Sequence, residues 1–340
     1  MDRLRATERR RRARITVVAP AWDEEGGIAA FVHELFAVLD PLPYDSEVLI
    51  VNDGSRDATG DVLEDLCREY PRLGVVHLSR NFGHQAALTA GLDLAEGDAI
   101  ITMDSDREHP PALIPELLRQ WEAGYDVVYG VRRTNRELSF LKRLTSRLYY
   151  RIINRISETP IPANVADFRL LSRRAADEMR RLRERTRFLR GLSSWIGFRQ
   201  IGVPYDSPTR EHGATKYTLR RMLNLGAAGI ITMSTMPLRA SLLLGFTISG
   251  ASLGYMLWVV VTWFLGDKGV AGWPSLIVAI LFLGGLQLSM TGIIGLYVAN
   301  IYAEVKGRPI YIVRRRSGTL REFSPDPRAE ERETADAAPH

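Results

Sequence analysis

Residues 242–265 carry no charged side chain, and residues 274–301 repeat that pattern. Each run exceeds the roughly 20 residues an α-helix needs to cross the hydrocarbon of a bilayer. In hydrocarbon, backbone amides and carbonyls must pair internally, so runs of this kind are confined to helices. Residues 266–273 are all that separates them, which predicts an antiparallel hairpin of two spans with both ends on one side. Arg220, Arg221 and Arg239 precede the hairpin and Lys306, Arg308, Arg314, Arg315 and Arg316 follow it, whereas the connection holds Lys268 beside Asp267. Basic residues favour cytoplasmic flanks, so the N-terminal domain and both termini are expected in the cytoplasm, on a multi-pass protein of the inner (cytoplasmic) membrane.

Most of the 45 Lys and Arg and the 40 Asp and Glu lie outside those runs, and the remaining chain is long enough for one large core. The single cysteine, Cys67, excludes an internal disulfide framework and a cysteine-based zinc site. An arginine-rich arm over residues 1–14 leads directly into the apolar run 15–19, too short for the core of a secretory leader, and none is expected. The arm is expected to be disordered. Residues 15–131 alternate short β-branched runs with helical periodicity: strands are predicted at 15–19, 47–51, 74–78, 98–103 and 126–130, with helices over 27–39, 58–70, 85–95 and 111–123. Such alternation predicts an α/β fold with a mostly parallel sheet covered on both faces, whose ligands bind beyond the carboxyl ends of the strands.

From 138 to 156 the period changes. Leu141, Leu144, Leu148 and Ile152 recur at helical spacing beside Arg143, Arg147, Arg151 and Arg155. This reads as an amphipathic helix with a basic flank at a membrane interface, or else as an ordinary surface helix packed on the sheet. Residues 217–240 predict a second interfacial helix, and the tail 304–340 is expected to be basic and then disordered, polar residues dominating from 317 onward.

Three strand ends carry chemistry. The run Ile100-Ile-Thr-Met-Asp-Ser-Asp-Arg-Glu-His-Pro-Pro delivers Asp104, Asp106 and Glu108 into one loop, where carboxylate oxygens can hold a hard divalent cation such as Mg²⁺ or Mn²⁺. An exposed acidic loop without function reads the same way when taken alone. After the first predicted strand comes Ala19-Pro-Ala-Trp-Asp-Glu-Glu, and after the second Val51-Asn-Asp-Gly-Ser-Arg-Asp. Asp53 suits the N–H of a nucleobase, Trp22 a ring to cover it, and Ser55 and Asp57 suit helix capping. The absence of Gly-x-Gly-x-x-Gly after the first strand excludes a dinucleotide-dependent hydride transfer enzyme.

These segments, with Ser79-Arg-Asn-Phe-Gly-His-Gln-Ala-Ala-Leu, Asn164-Val-Ala-Asp-Phe-Arg-Leu and Arg210-Glu-His-Gly-Ala-Thr-Lys-Tyr, resemble family 2 glycosyltransferases that load a sugar onto a polyprenyl phosphate. The bactoprenol (undecaprenyl-phosphate) glucosyltransferases are the nearer likeness and the dolichol-phosphate mannose synthases a more distant one. The resemblance spans about residues 15–316, both apolar runs included. It implies a GT-A-like domain over 15–216, with the hairpin within 241–303. It also implies donor contacts from Pro20, Trp22, Glu24, Val51, Asp53, Asp104 and Ser105, and a divalent cation held by Asp104, Asp106 and Glu108. Relatives often carry Gln where Glu108 stands and Tyr where Trp22 stands. Asp106 and Asp167 are the implied catalytic residues, with Asp167 either a base or an orienting group. A cationic cradle for the acceptor phosphate is expected at Arg132, Lys142, Arg143 and Ser146. Arg210 and Lys216 are expected in a loop that closes over the donor diphosphate.

The implied reaction is inverting transfer of a sugar, glucose from UDP-glucose first and mannose or another sugar second, to a polyprenyl phosphate. Expected partners are the nucleotide sugar, the lipid and the membrane. A homo-oligomer is compatible with the sequence, and nucleic acid is not expected, because acidic strand ends repel a polyanion. A processive polysaccharide synthase would carry Gln-x-x-Arg-Trp, which does not occur around Phe188-Leu-Arg-Gly-Leu-Ser-Ser-Trp. A non-enzymatic membrane adaptor accounts for the formal charge of +5 but leaves the acidic strand ends unexplained.

Overall fold

Each β-branched run of the first half forms a strand in the computed structural model, which describes residues 13–133, 165–185, 187–206, 236–265 and 272–322. The strands are β1 (Arg14–Ala21), β2 (Asp45–Asn52), β3 (Leu73–Leu78), β4 (Ala99–Thr102), β5 (Val127–Arg132), β6 (Val165–Ser172), β7 (Gln200–Tyr205) and β8 (Val313–Gly318). They make one sheet in the order β7-β5-β6-β4-β1-β2-β3-β8. Four pairings are parallel, while β6 runs antiparallel to β4 and β5, and β8 antiparallel to β3. The sheet is therefore mixed, with most of its pairings parallel as expected and β6 and β8 reversed. Strand order reverses at β1, with β2 and β3 on one side and β4 on the other, so the crevice beyond β1 and β4 is the topological switch point where such sheets bind ligands.

Side-chain alternation divides the core in two. Ile15, Val17 and Ala19 of β1 and Val48 and Ile50 of β2 pack on one face, while Val18, Leu49 and Val51 pack on the other. The first face is covered by α1 (Ile28–Leu39), α2 (Thr59–Glu69) and α4 (Ile114–Glu122). Ile28, Phe31, Val32, Leu35, Phe36 and Leu39 of α1 recur on one stripe and are all buried, as a 3.6-residue period requires. The second face is covered by α3 (His84–Leu94), α5 (Arg173–Arg181) and α6 (Leu189–Trp195). Helix α3 lies close on β1 because Gly91 has no side chain: a Cβ there would sit 2.1 Å from Cγ1 of Val18.

The tail corrects the sequence reading. Disorder was expected from about 317, yet Val313–Gly318 is the eighth strand, Ser317 is buried and Leu320 joins the second core. The three arginines of β8 have no apolar alternation to advertise a strand, and the open edge of β3 supplies the pairing instead. Arg315 also pairs with Glu64 of α2 at 3.1 Å. Arg14, placed in the N-terminal arm, is likewise the first residue of β1.

These strands and α1–α6 form one compact unit, which includes the tail from Pro309. A second unit contains α7 (Met236–Phe264) and α8 (Trp273–Val305), helices that fall on the two uncharged runs. Among the described residues one stretch, Phe282–Val305, is long and apolar enough to cross a membrane, and its side chains lie uncovered. The predicted interfacial helix at 138–156 lies outside the described residues, as does the one at 217–240 apart from residues 236–240, which open α7.

Candidate active site

At the switch point the loops after β1 and β2 are sewn together. Asp23 donates its N–H to Ser55 Oγ (3.0 Å) and accepts from Arg56 N (2.8 Å), and Glu25 donates to Asp57 and accepts from Ala58 N (3.1 and 2.9 Å). The N–H of Glu24 donates to Thr59 Oγ1 (2.9 Å), and its carbonyl accepts from Gly27 and Ile28 at the entry to α1. Asp57 also accepts the N–H of Thr59, the first residue of α2 (3.0 Å), but the N-cap position is Ala58, and the Ser55 hydroxyl serves the neighbouring loop. Asp53 is 2% exposed, and its carboxylate accepts from the backbone N–H groups of Phe82 and Gly83 at 2.8 and 2.9 Å. Burial raises its pKa and those amides pull it back. Gly54 turns with φ of 65°, and a Cβ there would strike the backbone of Arg80 at 2.4 Å, so this tight approach requires glycine.

The loop after β4 is built differently. Ser105 Oγ donates to the carbonyl of Pro20 (2.7 Å), joining the β4 loop to the β1 loop. The N–H of Asp104 donates to Nδ1 of His109 (2.9 Å), so that nitrogen carries no proton. His109 is buried against Phe168, ring centroids 5.2 Å apart, and burial, aided by Arg132, pushes its pKa down to about 3. One oxygen of Asp104, Oδ1, is buried without a hydrogen-bond partner, although Nε2 of His84 lies 3.3 Å away. Burial pushes the Asp104 carboxyl up to about 6; His84 pulls against the rise, while Asp167 and Asp106 add to it.

An under-satisfied carboxylate with a second one two residues on is what a hard divalent cation would complete. Among the described residues no group of three His, Cys, Asp or Glu side chains converges as a metal site. Glu108 is engaged by Arg132 at 2.7 Å, and Asp106 accepts the N–H of Glu108 at 3.0 Å. The donor set thus fits a cation held by Asp104 and Asp106, with water and phosphate oxygens completing its shell.

Beside Asp104 lies an ionic cluster that crosses three elements. Asp167 of β6 is 4% exposed and receives a bidentate fork from Arg190 of α6, Nε at 2.9 Å and Nη2 at 2.8 Å. Arg169 Nη2 approaches at 3.6 Å, His84 Nε2 at 3.6 Å and Gln85 Nε2 at 3.5 Å. Burial works to raise the pKa of Asp167, but His84 and the Arg190 fork outweigh it and hold the carboxyl far below the usual range. Burial alone would lower His84; Asp167 and Asp104 reverse that and raise it. Helix α3 presents His84 and Gln85 at its first two positions, and Gln85 Oε1 accepts the N–H of Leu189 at the head of α6 (3.1 Å).

Of the residues predicted from sequence, Asp104, Ser105, Pro20 and Asp167 meet around this crevice, and Trp22 stands half exposed on the β1 loop. Val51 is fully buried in the second core and Asp53 is spent on the 82–83 backbone. Lys142, Arg143, Ser146, Arg210 and Lys216 lie outside the described residues. His84, Gln85, His109 and Arg190 were not singled out. His84 is signalled by its place at the head of the helix that follows β3, whereas no motif marks Arg190.

The model for Glycosyl transferase family 2 matches residues 16–180. The chain is 41% identical over 308 residues to an uncharacterized glycosyltransferase of Bacillus subtilis (strain 168), covering 91% of this chain and 95% of that one. It is 38% identical over 302 residues to the bactoprenol glucosyl transferase of Shigella phage SfII, with 89% and 98% covered. It is 37% identical over 302 residues to a prophage bactoprenol glucosyl transferase homolog of Escherichia coli (strain K12), with 89% and 99% covered.

Proposed function

The chain belongs to glycosyltransferase family 2, and from that premise we propose that it transfers glucose from UDP-glucose to a polyprenyl phosphate, undecaprenyl phosphate first among the candidates. Support comes from the similarity to bactoprenol glucosyl transferases over 89% of the chain. The observation that carries the chemistry is Oδ1 of Asp104 at the switch point, a buried oxygen that accepts no hydrogen bond and has only the His84 imidazole 3.3 Å away.

The lipid phosphate oxygen attacks the anomeric carbon of the sugar, the bond from that carbon to the nucleoside diphosphate breaks, and the configuration inverts. A phosphate is already ionised near neutral pH, so no strong base is required. Asp167 would be a poor one, because a carboxyl held far below its ordinary pKa binds a proton weakly. Asp104 and Asp106 would hold a divalent cation, Mg²⁺ or Mn²⁺, which neutralises charge growing on the departing diphosphate. Trp22, half exposed, is suited to cover the base of the nucleotide. The helices α7 and α8 form the membrane hairpin in this reading, with the catalytic unit and both flanks on the cytoplasmic side.

A panel of UDP- and GDP-sugars assayed with undecaprenyl phosphate and the full chain in detergent tests the assignment. Transfer of glucose above all other sugars is the expected result, and no transfer from any donor would overturn it.

A further inference from the structure

Asn52, His77 and Arg315 lie abreast on β2, β3 and β8, and the first two are buried. Oδ1 of Asn52 accepts the N–H of Ser55 at 2.9 Å, in the loop after β2. That bond fixes the amide, so Nδ2, a donor only, is what faces Nδ1 of His77 at 3.2 Å. Nδ1 is therefore bare, and the ring is the neutral tautomer with its proton on Nε2. Nε2 donates to Oε1 of Glu64 in α2 at 3.1 Å, an oxygen that also accepts from Ser317 and, at 3.1 Å, from Arg315 of β8. The imidazole is thus clamped at both nitrogens, and one chain of polar contacts runs from the tail strand to the loop after β2. A second proton has no place in this arrangement. On Nδ1 it would point at the N–H of Asn52, and the amide would receive it only by turning its oxygen round and giving up Ser55. The Ser55 hydroxyl in turn accepts the N–H of Asp23, so the proton is felt in the loops after β1 and β2 alike.

We propose that His77 is a positioning residue for the sugar donor: neutral, it holds the two loops through Asn52, and gaining a proton releases them, so that donor binding weakens in acid. The charged groups that face the ring are Glu64 from α2 and Arg314 and Arg315 from β8, while β2 contributes the uncharged Asn52. Burial is the main cause that lowers the pKa of His77; Arg315 and Arg314 add to it, and Glu64 opposes it. With a folded pKa below the ordinary 6.5, the clamp is complete above pH 6.5 and is lost as pH falls through the folded value. The inference rests on the UDP-glucose reading proposed above, in which Trp22 on the β1 loop covers the base.

The test takes the full chain in detergent at about pH 7.5 and about pH 5 and reads the amide hydrogen exchange of residues 53–57, corrected for its intrinsic pH dependence, and KM for UDP-glucose with saturating undecaprenyl phosphate. Asp104 titrates in the same range, so variants are compared with the wild type at each pH. His77→Gln offers an acceptor and a donor but takes up no proton. It should match the wild type at the higher pH. At the lower pH the wild type should exchange faster than the Gln variant and show a KM about 5-fold higher, the worth of one hydrogen bond, with kcat alike in the two. Asn52→Asp, which accepts from Ser55 and from a protonated His77 alike, should also keep the loop closed in acid, and it carries the test if the Gln variant shows no thermal transition. Exchange and KM that follow pH in parallel in the wild type and both variants would overturn the proposal. So would faster exchange in the wild type with no difference in KM, because the loop would then have no bearing on the donor. Faster exchange confined to the wild type, without sugar transfer at either pH, would keep the clamp and sink the transfer reading.

Discussion

The loops after β1 and β2 and the loop after β4 meet at one crevice and are satisfied to very different degrees. In the first pair, side chains at 23, 25, 55 and 57 exchange hydrogen bonds with backbone across the gap, and both oxygens of Asp53 are taken up by amides. In the second, Asp104 has a buried oxygen with no hydrogen bond and a pKa lifted to about 6. Both loops are acidic, so composition alone does not separate them. The difference teaches where the protein has finished its own structure and where a ligand can finish it: buried polar atoms are normally hydrogen-bonded, and a carboxylate oxygen buried without a hydrogen bond marks chemistry still to come.

Mutations can break or sharpen that contrast. The largest effect is expected for Asp106→Ala, which should lower the transfer rate on the order of 100- to 1,000-fold, in line with losing a charge-stabilising group, and leave the melting temperature nearly unchanged. A radiolabelled transfer assay checks it, and retained activity would sink the assignment of Asp106 to the cation. Next comes Asp53→Ala, expected to destabilise the catalytic unit by about 3 kcal/mol, since the amides of Phe82 and Gly83 would be left buried and unpaired. A shift in thermal unfolding far below that would mean that water replaces the carboxylate.

Asp104→Asn should act in the opposite sense on stability while abolishing transfer. A carboxyl whose folded pKa of about 6 exceeds its ordinary 3.8 binds a proton more tightly when folded, so stability is fully present below 3.8 and declines as pH rises through 6. At pH 7 without added cation the Asn variant should be more stable by about 3 kcal/mol, and at pH 3.5 the advantage should vanish. Added Mg²⁺ should close the gap by binding the folded wild type alone. Equal melting temperatures at pH 7 would show that Asp104 bears no strain. Ser55→Ala is the smallest case: one bond to the N–H of Asp23 is lost, at a cost of about 1 kcal/mol, and transfer should fall less than with any Asp variant.

Much of this organisation was legible before any coordinates. The β-branched runs became strands, the helical stripe from Ile28 to Leu39 became α1, and the acidic loop lay at the carboxyl end of β4 as the fold class demands. Asp57 binds the first N–H of α2 from just outside the N-cap, Ala58. Three features were not legible. Strand β8 is written in arginines, and its pairing depends on an edge that β3 leaves open. Asp53 is expected at a nucleobase, and the amides of Phe82 and Gly83 that its carboxylate also accepts lie about thirty residues further on, which nothing near it in the sequence announces. The Asp167–Arg190 fork joins β6 to α6, and nothing in the spacing of the two residues announces that they meet.

What the sequence determined by itself were properties written in local periodicity and composition: which segments are strands, which are helices, which lack charge over lengths that suit a bilayer, and which strand ends are acidic. Tertiary structure alone decided which carboxylates are spent and which remain unsatisfied. Hydrogen-bond satisfaction and desolvation depend on groups distant in the chain but 3 Å apart in space, so Asp53 and Asp104, both at strand ends, differ only once their neighbours are in place.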